Sequence, residues 1–353
     1  MVKTLLKSHY NEENYLPVLA IVGMPGLGKT TLAKSIYNES KIDSHFHEKL
    51  WVCVSTPFEV KTILRGILET LKPEKAAIQS KDAICKFIRE EVKGKRYLLV
   101  LDDVWSEDPE KWKELRSCLL TINDTQGSSI IVTTRSDGVA KVMETLPRCD
   151  LRKLSDDECW LIMKDKAIPV GSPPMSKEQE TIGRDIAKRC GGVPLVSKVL
   201  GDVMRSKTSD EWRSILKSKT WDSPEGEKRI FPILKLSFDD LKPPSLKQCF
   251  AYCSMFVKDF DIEKDDLIQL WMAQGWLHPF SDKSLEMEER EHVSKSRNLC
   301  SLFSNGEVLG SNLLNFKSLR VLNLYKADIM ELPISIGKLK HLSLKNFQGK
   351  LQI

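Results

Sequence analysis

A glycine-rich stretch at residues 23–31, GMPGLGKTT, has the residue types and spacing of a loop that holds phosphate. We expect Gly23 and Gly28 to adopt backbone angles that other residues avoid, which turns successive N–H groups toward phosphate oxygens. Lys29 is expected to reach the β- and γ-phosphates of a nucleotide, and the Thr30 hydroxyl to bind Mg²⁺. The predicted nucleotide ligands in this loop are Gly23, Gly26, Leu27, Gly28, Lys29, Thr30 and Thr31.

Two carboxylates follow a second apolar run, residues 97–101. Ligands of open α/β sheets bind at the carboxyl ends of the strands, which is where Asp102 and Asp103 fall. We assign Asp102 to Mg²⁺, largely through the water shell of the ion, and treat Asp103 as a candidate base that positions water. An acidic turn after a strand is the alternative interpretation.

A third apolar run, residues 129–133, is followed by Thr134 and Arg135. An arginine at that edge could contact a γ-phosphate and so distinguish ATP from ADP. A surface arginine after a strand is the alternative.

These side chains require a sheet that brings the ends of several strands together. Residues 18–22 are continuously apolar, as in a parallel strand buried on both faces, and residues 31–37 have helical spacing. Residues 50–55 predict a fourth strand. Helices that cover the sheet are predicted at 60–71, 80–92 and 110–120, so the first ~150 residues form one doubly wound α/β nucleotide-binding domain.

Helical periodicity replaces the strand pattern after Leu151. Gly191-Gly192 should end one helix, and Pro194 should start another, because proline is favoured in a first helical turn. Residues 246–277 predict two packed helices. Their aromatic residues are predicted to lie in a core: Phe250, Tyr252, Phe256, Trp271 and Trp276.

Leucines near the C-terminus repeat after twenty residues: positions 319, 322 and 324 recur as 339, 342 and 344. That pattern is typical of a leucine-rich solenoid. A solenoid needs about three units to bury a continuous core, so we interpret these two as a remnant.

Composition bounds the partners and the compartment. The 353 residues can form two or three domains, and a net charge of +5 spread along the chain does not favour nucleic acid as a partner. No apolar run is long enough for a membrane span. Nine cysteines without a C-x-x-C pair favour a reducing, cytoplasmic location, with the nucleus or a membrane surface as alternatives.

Seven stretches in this order resemble one family, the NB-ARC ATPases of plant intracellular immune receptors, which are nucleotide-binding leucine-rich-repeat disease resistance proteins. The stretch LLVLDDVW, which ends at Trp105, resembles the coiled-coil-type branch. The seven stretches are GMPGLGKTT, LWVCVS, LLVLDDVW, GSSIIVTTR, LSDDECW, GGVPL and CFAYCSMF…LIQLWMAQGWL.

The resemblance implies four parts: a P-loop nucleotide-binding domain at 1–149, a helical ARC domain at 150–228, an incomplete winged-helix-like domain at 229–300 and a leucine-rich-repeat remnant at 301–353. It implies ADP in a closed resting state and ATP in an open signalling state. Pro194 would pack on the adenine, and Arg135 would sense the third phosphate. Other immune-receptor domains or proteins are the implied partners.

The family's Met-His-Asp motif is absent, and the segment before the leucine repeats is too short for the rest of a winged helix. We therefore interpret the chain as a truncated relative. Our hypothesis is a slow ATPase switch in plant defence that binds ADP, ATP and Mg²⁺. The alternatives are a phosphotransferase, a winged-helix nucleic-acid binder and a non-switching interaction fragment or decoy.

Overall fold

The computed structural model divides into two compact units, residues 1–240 and 241–353. Within the chain, no described helix is both long enough and apolar enough to cross a membrane. The structure describes residues 1–7, 16–54, 56–75, 78–169, 171, 174–205, 207–218, 221, 227–256, 260, 262–277, 301–304, 319, 321–324 and 344–347.

The first unit is built on a five-stranded parallel sheet with the strand order β2-β3-β4-β1-β5. Its apolar strands are buried because helices cover both faces, which is the usual environment of a parallel sheet. The strands are β1 (Val18–Val22), β2 (Glu48–Cys53), β3 (Tyr97–Val104), β4 (Ser129–Thr134) and β5 (Cys149–Asp150).

Alternate residues of each strand enter different cores. In β3, Leu99 and Leu101 join the core on one face, whereas Leu98 and Val100 join the core on the other. The helices of the first core are α4 (Val60–Leu71), α5 (Lys81–Val92), α6 (Pro109–Ile122) and α7 (Asp137–Met143), and those of the second are α1 (Val2–Lys7), α2 (Lys29–Tyr37) and α3 (Ser40–His45). The predicted doubly wound α/β fold is confirmed.

Strand β3 is longer than the predicted run of residues 97–101. It continues through Asp102 and Asp103 to Val104, and its register with β4 shifts between Leu101 and Val104. Asp103 has a positive φ of 58°, so the strand bulges where the acidic residues lie. The two carboxylates therefore belong to the strand instead of following it.

In the described part of the first unit, five helices follow the sheet. The change to helical structure after Leu151 is as predicted, and the core of these helices contains the buried rings of Trp160 and Trp212. Gly191 and Gly192 both have positive φ between α9 and α10, and Pro194 is the first residue of α10. These helices are α8 (Asp156–Ala167), α9 (Lys177–Arg189), α10 (Pro194–Met204), α11 (Ser209–Leu216) and α12 (Glu227–Asp239).

The second unit contains the predicted helix pair, α13 (Pro244–Tyr252) and α14 (Lys264–Ala273). Tyr252 and Leu270 form its small core, on which Phe256, Trp271 and Trp276 pack. The prediction that Phe250 is buried is wrong, because 64% of this residue is exposed. Helical spacing located the helix correctly but not the limit of its apolar face.

Three short parallel strands occur later in the second unit, in the order β6-β7-β8. Strand β7 contains the last two leucines of the first leucine motif, and β8 begins at Leu344. Most residues between the strands, including Leu339 and Leu342, lie outside the described residues, so the leucine-rich-repeat remnant stays a prediction. The strands are β6 (Ser301–Ser304), β7 (Val321–Leu324) and β8 (Leu344–Phe347).

Candidate functional site

The glycine-rich loop joins the buried strand β1 to helix α2, as predicted. Gly28 is the residue before the helix and has φ 95°, and Gly26 has φ 77°. Gly23 does not have a positive φ, contrary to the prediction. A Cβ there would lie 3.2 Å from side-chain atoms of Leu151 and Leu27, so Gly23 serves close packing. The left-handed turns needed to aim N–H groups inward are at Gly26 and Gly28.

Lys29 is buried at the start of α2, with 8% of its surface exposed. Its ammonium donates to the carbonyl oxygens of Gly23 at 2.7 Å and Met24 at 3.2 Å. A buried ammonium is stable only where oxygen acceptors replace its water, and the loop carbonyls do so. Lys29 thus places a positive charge inside the loop, beside the N-terminus of a helix.

Asp102, Thr30 and Thr133 come together at the edge of the sheet. The Asp102 carboxylate is 6% exposed and accepts hydrogen bonds from the hydroxyls of Thr30, at 3.0 Å, and Thr133. Carboxylate and hydroxyl oxygens suit Mg²⁺, which keeps several waters and needs few protein ligands. No cluster of three or more His, Cys, Asp or Glu that could hold a metal occurs among the residues described.

Arg135 and Asp103 lie at the same edge, one strand apart. The Arg135 Nε is 3.8 Å from Asp103 Oδ1, and its guanidinium carbon lies 4.5 Å from the centre of the Trp105 ring. The Asp103 N–H donates to the Thr133 hydroxyl at 2.9 Å, which fixes the bulged backbone. The sequence predicted Asp103 and Arg135 as separate site residues. It did not predict that they would pair, or that Trp105 would contact the arginine.

The helical region, which consists of helices α8 to α12, contacts the glycine-rich loop through the start of α10. The Leu195 N–H donates to the Gly26 carbonyl at 3.2 Å. A Cβ on Gly26 would lie 3.0 Å from side-chain atoms of both Leu195 and Val193, which flank the half-buried Pro194. Met24 of the loop also packs on the helical core. In this segment, the sequence analysis predicted only Pro194 as a site residue. Val193 and Leu195 could have been proposed because they flank Pro194 in the stretch GGVPL.

The remaining predicted ligands lie on the loop and the first turn of α2. Leu27 is half-buried, with its N–H directed to the Met24 carbonyl at 3.4 Å. Thr31 is exposed beside Gly28. The sheet order, the glycine loop and the buried lysine and aspartate together define a P-loop nucleotide-binding protein of the doubly wound α/β class.

Two family models match the chain. Residues 1–172 match the NB-ARC domain, and residues 255–296 match the disease resistance protein winged helix domain. The chain therefore carries an NB-ARC domain and belongs with the plant disease resistance proteins.

Similar curated proteins come from plants. The disease resistance protein RGA2 of Solanum bulbocastanum is 40% identical over 311 residues, which cover 87% of this chain and 31% of that protein. The putative disease resistance protein RGA4 of the same plant is 37% identical over 355 residues, or 100% of this chain and 35% of that protein. The putative disease resistance RPP13-like protein 1 of Arabidopsis thaliana is 37% identical over 80% of this chain and 27% of its own length. The chain thus spans about a third of the length of these relatives.

Among solved structures, a signal transduction ATPase with a tetratricopeptide repeat sensor from Pyrococcus horikoshii is 18% identical, with a TM-score of 0.44, covering 75% of this chain and 37% of that one. The ADP form of the Aeropyrum pernix ORC2 protein is 16% identical, with a TM-score of 0.44, over 76% of this chain and 75% of that one. The fold class rests on the sheet topology and the family models, since likenesses of this size carry no weight.

Proposed function

We propose that the NB-ARC domain of this chain binds ADP and ATP with Mg²⁺ and acts as the nucleotide-dependent switch of a plant intracellular immune receptor. ADP holds the resting state, and ATP favours the signalling state. Backbone N–H groups of the loop and the Lys29 ammonium hold the phosphates, while Pro194 packs on the adenine. The full set of nucleotide ligands is Gly23, Gly26, Leu27, Gly28, Lys29, Thr30, Thr31, Arg135 and Pro194.

The metal ion fits the oxygen pair of Thr30 and Asp102, which would hold Mg²⁺ together with water and phosphate. When bound, Mg²⁺ neutralises charge on the phosphate oxygens. Asp103 is the candidate for positioning a water molecule. Phosphate-loop proteins without a supplied arginine finger hydrolyse nucleotide at roughly 10⁻⁴ to 10⁻² per second, so hydrolysis here is expected to be slow.

One observation carries the proposal of a switch: the helical region contacts the loop itself. The hydrogen bond from Leu195 to Gly26, with Met24 packed on the helical core, means that occupancy of the loop bears on the packing of α10. A ligand shifts a conformational equilibrium only by its differential affinity for the two states. Arg135, which would meet only the third phosphate, supplies such a difference between ATP and ADP.

The test uses the whole chain and its Lys29→Ala variant. The parent is expected to purify with ADP and to bind both nucleotides in calorimetry. Lys29→Ala should lose about tenfold to a hundredfold in affinity, as expected for a charge-assisted hydrogen bond. The control is Lys34→Ala, an exposed lysine on the same helix that lies 5.9 Å from the Trp51 ring, and it should bind like the parent.

Three outcomes would contradict the proposal. If Lys29→Ala keeps parental affinity, the loop assignment is wrong. A parent that purifies empty and binds neither nucleotide would instead favour a non-switching interaction fragment or decoy. Turnover far above the slow range at saturating ATP would favour a working phosphotransferase.

A further inference from the structure

Two segments at the carboxyl edge of the sheet are joined residue by residue. We name them the acidic segment, residues 103–107, and the arginine segment, residues 133–136. The Asp103 N–H donates to the Thr133 hydroxyl at 2.9 Å, and the Thr134 hydroxyl donates to the Val104 carbonyl at 2.8 Å. Since Val104 and Thr134 are also register partners, the next residue of each segment must lie side by side.

Those next residues are Trp105 and Arg135, and their contact follows from the register. The guanidinium lies over the indole face at 4.5 Å from its centre. Beyond this contact, one residue past Arg135 and two past Trp105, the Ser136 hydroxyl donates to the Glu107 carboxylate and accepts from the N–H groups that start α7. The arginine is therefore fixed between two anchored neighbours.

The exposure of Trp105 argues against a packing role. This residue is 45% exposed and does not belong to the buried core of the sheet. Tryptophan has the ring face most attractive to a cation, and arginine stacks on it in a defined orientation. The ion pair with Asp103 attracts the guanidinium but does little to fix its orientation. The two groups are 3.8 Å apart, and both are partly exposed and screened by solvent.

We propose that Trp105 is a positioning residue for Arg135, whose ring sets the orientation in which the guanidinium meets the third phosphate of ATP. This inference rests on the proposed function. It assigns the tryptophan of LLVLDDVW to ATP selectivity, without contact between the ring and the nucleotide. The aromatic ring that Trp105→Phe retains should still orient Arg135 for the most part, whereas Trp105→Ala should not.

The experiment measures affinities for ADP and for a non-hydrolysable ATP analogue on the whole chain. The variants are Trp105→Ala, Trp105→Phe, Arg135→Ala and the double variant Trp105→Ala/Arg135→Ala. Trp105→Ala should weaken ATP relative to ADP by about 2–5-fold, the worth of an exposed cation–π contact. Trp105→Phe should recover most of the ratio, and in the Arg135→Ala background the loss of Trp105 should change nothing.

The four variants distinguish the proposed sensing role of Arg135 from the inferred positioning role of Trp105. If Arg135→Ala leaves the ATP-to-ADP ratio unchanged, the proposed sensing fails, and Trp105 has nothing to position. If Arg135→Ala changes the ratio but Trp105→Ala does not, only the inference fails. An equal loss for both nucleotides, or a loss that persists in the Arg135→Ala background, would show a merely structural role. Thermal unfolding of each variant checks that the surface change leaves the fold intact.

Discussion

The sheet region and the helical region of the first unit bury different kinds of side chain. The sheet region buries Lys29, Asp102, Thr133 and Thr134 at its carboxyl edge, and Ser128 and Ser129 at the start of β4. Among the described residues of the helical region, Ser197 is the buried polar side chain, and its hydroxyl donates to the carbonyl of Val193, the residue before its own helix. Buried polar groups are costly unless they are paired, so their concentration beside the glycine loop marks a place built for a ligand.

The helical region, in contrast, buries almost entirely apolar side chains. Its core is formed by apolar rings and aliphatic side chains that press against glycines, as Trp160 does against Gly183. The structure of the helical region therefore depends on close packing of apolar side chains, whereas the sheet edge depends on paired polar side chains. The two should therefore respond differently to substitution: the helical region through stability, and the sheet edge through ligand affinity.

The largest expected effect is that of Gly183→Ala. A Cβ at this position of α9 would lie 2.2 Å from the Trp160 ring, which is 2% exposed. Overpacking of a rigid core costs typically 1–3 kcal/mol, and we expect about 3 kcal/mol here, measured by urea unfolding.

Gly66→Ala in α4 is the matched control from the sheet region. Its Cβ would lie 3.2 Å from a γ-methyl of Val52, a contact that a shift of a few tenths of an ångström relieves. Replacing a helical glycine by alanine gains about 0.5–1 kcal/mol, which offsets that small crowding, so its stability should stay near that of the parent. A Gly183→Ala chain as stable as Gly66→Ala would contradict the contrast between the regions.

Asp102→Ala should act on affinity at the sheet edge. Its removal deletes the acceptor of the Thr30 and Thr133 hydroxyls and the carboxylate proposed for Mg²⁺. We expect a loss of about 2 kcal/mol in ATP affinity with Mg²⁺, as for a charged hydrogen bond. Chelating the metal should weaken ATP binding by the parent but not by the variant.

The control for this prediction is Asp108→Ala. The Asp108 carboxylate is exposed and caps α6 by accepting from the Glu110 and Lys111 N–H groups. Its loss should lower stability by about 1 kcal/mol and leave Mg²⁺-dependent binding unchanged. If chelation affects the Asp102→Ala and parent proteins equally, Asp102 does not serve the metal.

Gly26→Ala tests the contact that joins the two regions. Its φ of 77° is strained for alanine by about 1–2 kcal/mol, and the added Cβ also meets Leu195 and Val193. We expect weaker nucleotide binding and faster hydrogen exchange at the start of α10. Gly171→Ala has a comparable φ of 87° with open space around it, so it should lose stability without either effect. If the two variants behave alike, the contact at Gly26 does not couple the glycine-rich loop to α10.

Local patterns predicted the elements well, because a strand buried on both faces and an amphipathic helix each have a sequence period. Helix α4 runs from Val60 to Leu71 as predicted, and the glycine loop lies between the expected strand and helix. Pairing between distant segments had no such signal. The bulge at Asp103 arises from its register with β4, and the contact of Leu195 with Gly26 depends on how the helical region folds back.

The smallest expected effect concerns Glu158, a partly exposed residue in the first turn of α8. Its carboxylate accepts from Arg152 at 2.8 Å and from the Ser155 N–H at 2.7 Å. The Arg152 hydrogen bond, followed by those from Ser155, lowers the pKa of Glu158 from 4.5 to about 2. A lowered pKa in the folded state means that the ionised carboxylate stabilises the fold above pH 4.5, and that this stabilisation is lost as the pH falls to about 2.

Glu158→Gln should therefore remove only the pH-dependent part of the stabilisation that this side chain gives the fold. Glutamine keeps the oxygen needed for the capping box, as Gln179 does at the equivalent position of α9. Unfolding free energies of the parent and the variant, measured from pH 7 down to pH 2, should differ slightly at neutral pH and converge in acid. A difference that stays constant across this range would mean that the charge of Glu158 contributes nothing.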